Sequence, residues 1–150
     1  MPFNTTTANA LLNWTLGNST VNLPQNDKVY IGLSTNDPEA DGGTFTELTG
    51  DTYERVLINN GESAYPDVIG SASNRSIENI KQINWTKATT NWPAVKGFGL
   101  FTAKTGGQPY FYGKLEEVLN VVSGSVALFD PGALKISFPT SDAAVAAVSE

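Results

Sequence analysis

The side chains that could do chemistry fall into three groups. Asp37, Glu39 and Asp41 sit in a stretch dense in turn formers, residues 36–43. Oxygen donors on a Gly-rich loop are the type a hard cation takes. The alternating Asp-x-Asp spacing of an EF-hand is missing, so a solvated turn is the simpler reading. Glu116 and Glu117 are adjacent carboxylates. A glycosidase needs two acids flanking one bond, roughly 5–10 Å apart. Neighbours on a strand face opposite ways, so these two cannot converge and read as surface charges. A hydrolase built on carboxylates alone would need acids from different strands. Trp85, Trp92 and Tyr110, with Phe111 and Tyr112, are the third group. Their rings could stack on sugars or fill a β core, and the core takes most of them.

What is missing narrows the chemistry further. The chain has no His and no Cys. Histidine is the usual general base and the commonest metal ligand. Its absence removes Ser-His-Asp and Cys-His machinery and the usual zinc sites. Gly97-x-Gly99 and Gly106-Gly107 lack a following Gly-Lys-Ser/Thr, so they read as backbone features rather than phosphate loops. No catalytic, cofactor-binding or metal-binding residue is assigned. The sequons at Asn18 and Asn84 matter only in a glycosylating pathway.

Charge excludes other partners. The formal net charge is −6 with nine Lys+Arg, against the basic footprint that nucleic acid or an anionic membrane requires. No apolar run approaches the ~18 residues of a membrane span. The first residues lack the basic and apolar regions of a signal peptide.

The elements that must carry these groups are mostly strands. Thr5, Thr6 and Thr7 offer N-caps to a short helix whose stripe is Ala8, Leu11, Leu12 and Trp14, with Gly17-Asn18 as a stop. Residues 28–34 alternate, placing Val29, Ile31 and Leu33 on one core face. Further strands are expected over 52–58, 80–85, 94–101, 110–115, 118–122, 125–129 and 134–138. Arg55, in the first of these, snorkels or pairs with an acid. The glycines of 94–101 signal close backbone approach or a bulge. Residues 104–109 form the turn of a hairpin. Residues 62–79 are polar and without periodicity, longer than most loops, and suited to covering a sheet edge or a partner.

About seven or eight short strands predict an all-β fold, an antiparallel β-sandwich or barrel with a short N-terminal helix. At 150 residues one domain is expected: a helical segment over 1–20, a β core over 21–138 and a C-terminal arm over 139–150. The arm reads equally as a short capped helix or an extended segment.

The order of segments resembles a family of small tailed-bacteriophage virion proteins, of tail-fibre or head-decoration type. The matching parts begin with Ala10-Leu11-Leu12-Asn13-Trp14 and the run from Val29 to Pro38. Gly50-Asp51-Thr52-Tyr53-Glu54-Arg55-Val56 and Ile83-Asn84-Trp85-Thr86 come next. Trp92-Pro93-Ala94-Val95-Lys96-Gly97-Phe98-Gly99-Leu100-Phe101 and Tyr112-Gly113-Lys114-Leu115 follow, and Phe129-Asp130-Pro131-Gly132-Ala133-Leu134-Lys135-Ile136 closes the set. The likeness spans roughly 8–138, and the segment after Pro139 extends beyond it. The resemblance implies a non-enzymatic structural protein on the virion exterior, either capsid decoration (cement) or a tail fibre-type component. Its partners would be the major capsid protein or tail proteins. By analogy it is a homo-oligomer, a trimer first. Leu11, Trp14, Val145 and Val148 are the expected subunit or capsid contacts, although Trp14 on its residue type alone reads first as an anchor of the helix to the body of the fold. The competing expectation is a carbohydrate-binding module that exposes Trp85, Trp92 and Tyr110 on one face.

Overall fold

The computed structural model describes residues 5–16, 28–59 and 76–137. The stop signal at Gly17-Asn18, most of the 62–79 stretch and the C-terminal arm with Val145 and Val148 lie outside the described residues, as does the side chain of Trp14. Helix α1 spans Thr5–Thr15. Eight strands follow: β1 (Val29–Ser34), β2 (Val56–Asn59), β3 (Ser76–Glu78), β4 (Ile83–Asn84), β5 (Val95–Phe101), β6 (Phe111–Leu119), β7 (Leu128–Phe129) and β8 (Lys135–Ser137).

The main sheet is antiparallel in the order β2-β1-β5-β6. Two ribbons, β3-β8 and β4-β7, form the second layer. The β4-β7 ribbon continues irregularly, with Trp85 N–H donating to Ala127 O and Ala88 N–H to Ser125 O. The result is an all-β sandwich, and the described strands do not close into a barrel. Ile31, Leu33, Val95, Leu100, Ile58, Ile83 and Leu134 fill the space between the layers.

The alternation of β1 does place Val29, Ile31 and Leu33 in the core, but its other face is covered as well. Gly32 and Ser34 are buried too. Register explains how. Gly32 lies opposite Gly99, and Ser34 opposite Gly97. This row without large side chains lets residues 36–55 lie directly on the sheet. A Cβ on Gly99 would come within 2.8 Å of the Phe45 ring, and one on Gly97 within 2.5 Å of Pro38 Cδ. Close approach is therefore one thing these glycines permit, and the register of β5 against β6 also shifts between Val95 and Gly97, where the other reading placed a bulge. Asn36 fastens the same excursion. Its side chain donates to Asp41 Oδ2 (2.7 Å) and Thr44 O (2.8 Å) and accepts from Thr46 N (2.9 Å).

Several strand boundaries differ from expectation. Over 52–58 only Val56 onward pairs with β1, because Tyr53 and Arg55 turn their side chains into the covering layer. The 80–85 strand shrinks to two residues. Asn79 breaks it by donating to Lys81 O and Asp130 O and accepting from Leu134 N. The segments 110–115 and 118–122 are not two strands, since β6 runs unbroken through nine residues. A bulge against β5 absorbs the difference, between Val95↔Leu119 and Gly97↔Lys114. β3 falls in the tract expected to lack periodicity, and is defined by pairing with β8.

Gly97→Ala tests the covering layer. The added methyl meets Pro38 and also Gly113 O at 2.9 Å, so a loss of about 1–3 kcal/mol in urea unfolding is expected. An unchanged midpoint would mean that the 36–46 segment does not sit against the sheet.

Candidate functional site

Arg55 is 5% exposed and makes four hydrogen bonds. Its Nε and Nη2 donate to the two carboxylate oxygens of Glu47, both at 2.7 Å. Its Nη1 donates to Ala103 O and Gly106 O, both at 2.8 Å. The guanidinium lies 3.4 Å above the Phe101 ring centroid. Of the two expectations for Arg55, pairing is the outcome. Glu47 Oε1 also accepts the Tyr53 hydroxyl at 3.0 Å, and Tyr53 Oη accepts the Leu33 amide at 2.8 Å. Burial pushes the Tyr53 phenol far above its ordinary range, with the Glu47 charge adding to the shift.

Asp51 is the second hub. It adopts φ 49°, which Asp tolerates better than most residues. Its carboxylate accepts from the Thr89 hydroxyl, from the Thr89 amide at 2.8 Å and from Trp92 Nε1 at 2.9 Å. The Thr89 hydroxyl bond is the largest cause holding its carboxyl well below the usual range. Burial pushes the Tyr110 phenol up to about 12. All three shifts move away from neutrality, the opposite of what a general acid or base requires. These clusters join segments of backbone.

The sequence-derived candidates separate accordingly. Asp37 Oδ1 accepts from the Glu39 and Ala40 amides, and Asp41 is held by Asn36. Those contacts are turn-forming, and among the described residues no three His/Cys/Asp/Glu side chains gather where a metal could bind. Glu116 and Glu117 are both exposed on β6. Trp85 and Trp92 are buried, at 3% and 7% exposure. Trp85 packs edge-on against Phe129 at 5.2 Å and Trp92 against Tyr53 at 5.9 Å. Tyr110 is half-buried against Phe111. These three rings do not share an exposed face, because the core and the Asp51 hub consume the tryptophans. Leu11 is half-buried on α1.

Apolar surface remains, and sequence reasoning pointed to the helix in it but not to the β6 side. Leu12 and Leu16 of the α1 segment are 59% and 78% exposed. Among the described residues α1 packs on none of the strands. Val118, Val122, Val126 and Leu128 are exposed near the end of β6. Beside them two adjoining hollows of about 620 and 260 Å³ follow the outer side of β6 and share Phe98, Lys114 and Lys135. The larger is floored by Leu115, Leu119, Leu128 and Phe129. The Val118-Leu119 pair after two glutamates was the available signal, but only the topology identifies β6 as an edge. The described surface offers apolar area and an open strand edge at β6.

Two measurements check the hubs. Glu47→Ala leaves a buried guanidinium without its carboxylate. A loss of about 3 kcal/mol is expected, the low end for a broken buried pair, since the Glu47 side chain keeps 27% exposure. A loss below about 0.5 kcal/mol would make it an ordinary surface bridge. For Asp51 the folded carboxyl titrates below its unfolded value of ~3.9. Its contribution is therefore complete above that pH and lost as pH falls through the depressed folded value. The stability gap between wild type and Asp51→Asn should be constant near neutrality and close below about pH 4. A gap that stays the same down to pH 2 would contradict this.

Comparison with known proteins agrees with this picture. The family model described as podophage GP4 fiber I protein gp80 matches residues 2–137. A search of the curated proteins gives no match.

Proposed function

Because the chain belongs to the Gp80 family, the podophage GP4 fiber I proteins, we propose that it is a non-enzymatic structural component on the exterior of a phage particle, of tail-fibre type rather than capsid decoration. The observation that carries this reading is the family match across 2–137, which takes in α1 and all eight strands. The surface supports it. The Arg55 and Asp51 hubs are hydrogen-bonded within the chain, and part of what faces outward is apolar, at Leu12, Leu16, Val118, Val122, Val126 and Leu128.

Helix α1 is the attachment element. Two Ala and two Leu favour helix over Thr5–Thr15, four Thr and two Asn do not, and a helix of about 12 residues or fewer is marginal alone in water. Leu12 and Leu16 leave its apolar side uncovered. Docking on a neighbouring virion protein would bury that side and stabilise the helix. Leu11 and Trp14 belong to the same contact. Subunits would associate as a symmetric oligomer, a trimer by analogy with virion proteins of this kind.

The test is incorporation. A Leu12→Asp/Leu16→Asp variant supplied to particles assembling without the wild-type protein should fold normally and be depleted from purified particles by at least about tenfold, since two charges would enter an apolar contact. Incorporation at the wild-type level would remove α1 from the attachment surface. Absence of the wild-type protein itself from particles would overturn the virion reading.

A further inference from the structure

The open side of β6 is built to receive a strand. β6 pairs with β5 on one side, and among the described residues no strand lies on the other. β8, which pairs only with β3, lines the same groove through Lys135, Ile136 and Ser137. Edge strands carry backbone donors and acceptors that pair readily with an added strand, and recognition by strand addition uses them. Leu115, Leu119, Leu128 and Phe129 give the larger hollow an apolar floor, while Lys114 and Lys135 line both hollows, with Glu116 and Glu117 at the larger and Glu39 at the smaller.

We propose that the occupant is the C-terminal segment, residues 138–150, of a neighbouring copy of this chain. Its composition fits the groove. Ala143, Ala144, Val145, Ala146, Ala147 and Val148 form a neutral run of small apolar residues behind Asp142. Asp142 beside Lys114 and Lys135 sets the register, and the small run then lies along the apolar floor toward Leu119. Small side chains let the added backbone approach the β6 edge.

Length and starting point argue for a neighbour's groove. The chain leaves β8 at Ser137, which lines the smaller hollow beside Tyr112 and Gly113. Within β8, Lys135 lines both hollows and Ser137 only the smaller, so at Ser137 the chain is directed away from the apolar floor of its own groove. At roughly 3.3 Å per residue its thirteen residues reach about 43 Å, and the nine residues of β6 span about 30 Å. One segment can therefore leave its own domain and still cover the apolar floor of the next. The segment lies outside the 2–137 stretch matched by the family model, so this contact is an addition to the shared fold. The inference rests on the proposed self-association but not on where in the particle the protein sits.

Cross-linking of the full-length chain tests it, helped by the absence of native cysteine. One variant carries Lys114→Cys and another Asp142→Cys. The two are mixed and treated with a short bis-maleimide. The expected result is a cross-linked heterodimer, reduced at least about tenfold when Val145→Asp/Val148→Asp is added to the Asp142→Cys chain, since charges would enter the apolar floor. Sedimentation velocity of the uncross-linked wild type should show the matching oligomer, weakened by the same double substitution. Cross-linking confined within single molecules of a doubly substituted Lys114→Cys/Asp142→Cys chain would place the segment in its own groove and overturn the proposal. So would no cross-link at all, or oligomers indifferent to the aspartates. Those results leave the virion reading standing if the protein is still present on particles.

Discussion

The ion pair between Arg55 and Glu47 is the constraint around which this fold is arranged. Two charges taken from water are tolerated only when paired and fully hydrogen-bonded. Arg55 meets that demand with the Glu47 carboxylate, two backbone carbonyls and the Phe101 face. The partners come from separate parts of the chain. Glu47 and Arg55 bracket the turn that carries Asp51, while Ala103 and Gly106 belong to the β5–β6 connection. Tyr53 extends the cluster to the backbone of β1. The pair therefore holds the excursion of residues 36–55 against the outer face of the main sheet. Gly32, Gly97 and Gly99 leave the room it occupies.

Once that excursion is in place, both faces of the sheet's central strands are covered. One packs on the ribbons β3-β8 and β4-β7, the other under the covering layer. Aromatic rings that could have served as a ligand platform are drawn inside, Trp92 by Asp51 and Trp85 by Phe129. What is left for recognition is the periphery: α1, the exposed valines after β6, and the β6 edge. In the proposed reading, other chains are engaged through these edges and apolar strips. That matches a family of phage fibre proteins and a net charge unsuited to nucleic acid.

Much of this was legible in the sequence, where local pattern and tertiary outcome agree. The β1 alternation, the hairpin turn at 104–109 and the helix near the N-terminus follow from periodicity and turn chemistry. The glycines of β5 announced a close approach, but not that Pro38 and Phe45 would make it. Arg55 announced an acidic partner, but Glu47, eight residues earlier, is brought in only by the fold of the turn between them. β3 left no pattern because three residues paired with β8 need little intrinsic preference. The surface was the least legible part. An edge strand looks like any other until sheet order is known, and an exposed Leu on a helix is indistinguishable in sequence from a buried one. The ordered run of motifs, from Ala10-Leu11-Leu12 to the segment around Pro131, identified the phage family where no single motif could.

The central claim is that this chain is an exterior component of a phage particle held through peripheral contacts. Cryo-electron microscopy of purified particles tests it most directly. The account predicts density for this sandwich in a small symmetric set at the tail, with α1 seated on a neighbouring protein. Particles that lack the density would contradict it, as would a sandwich attached through its covering layer with α1 facing solvent.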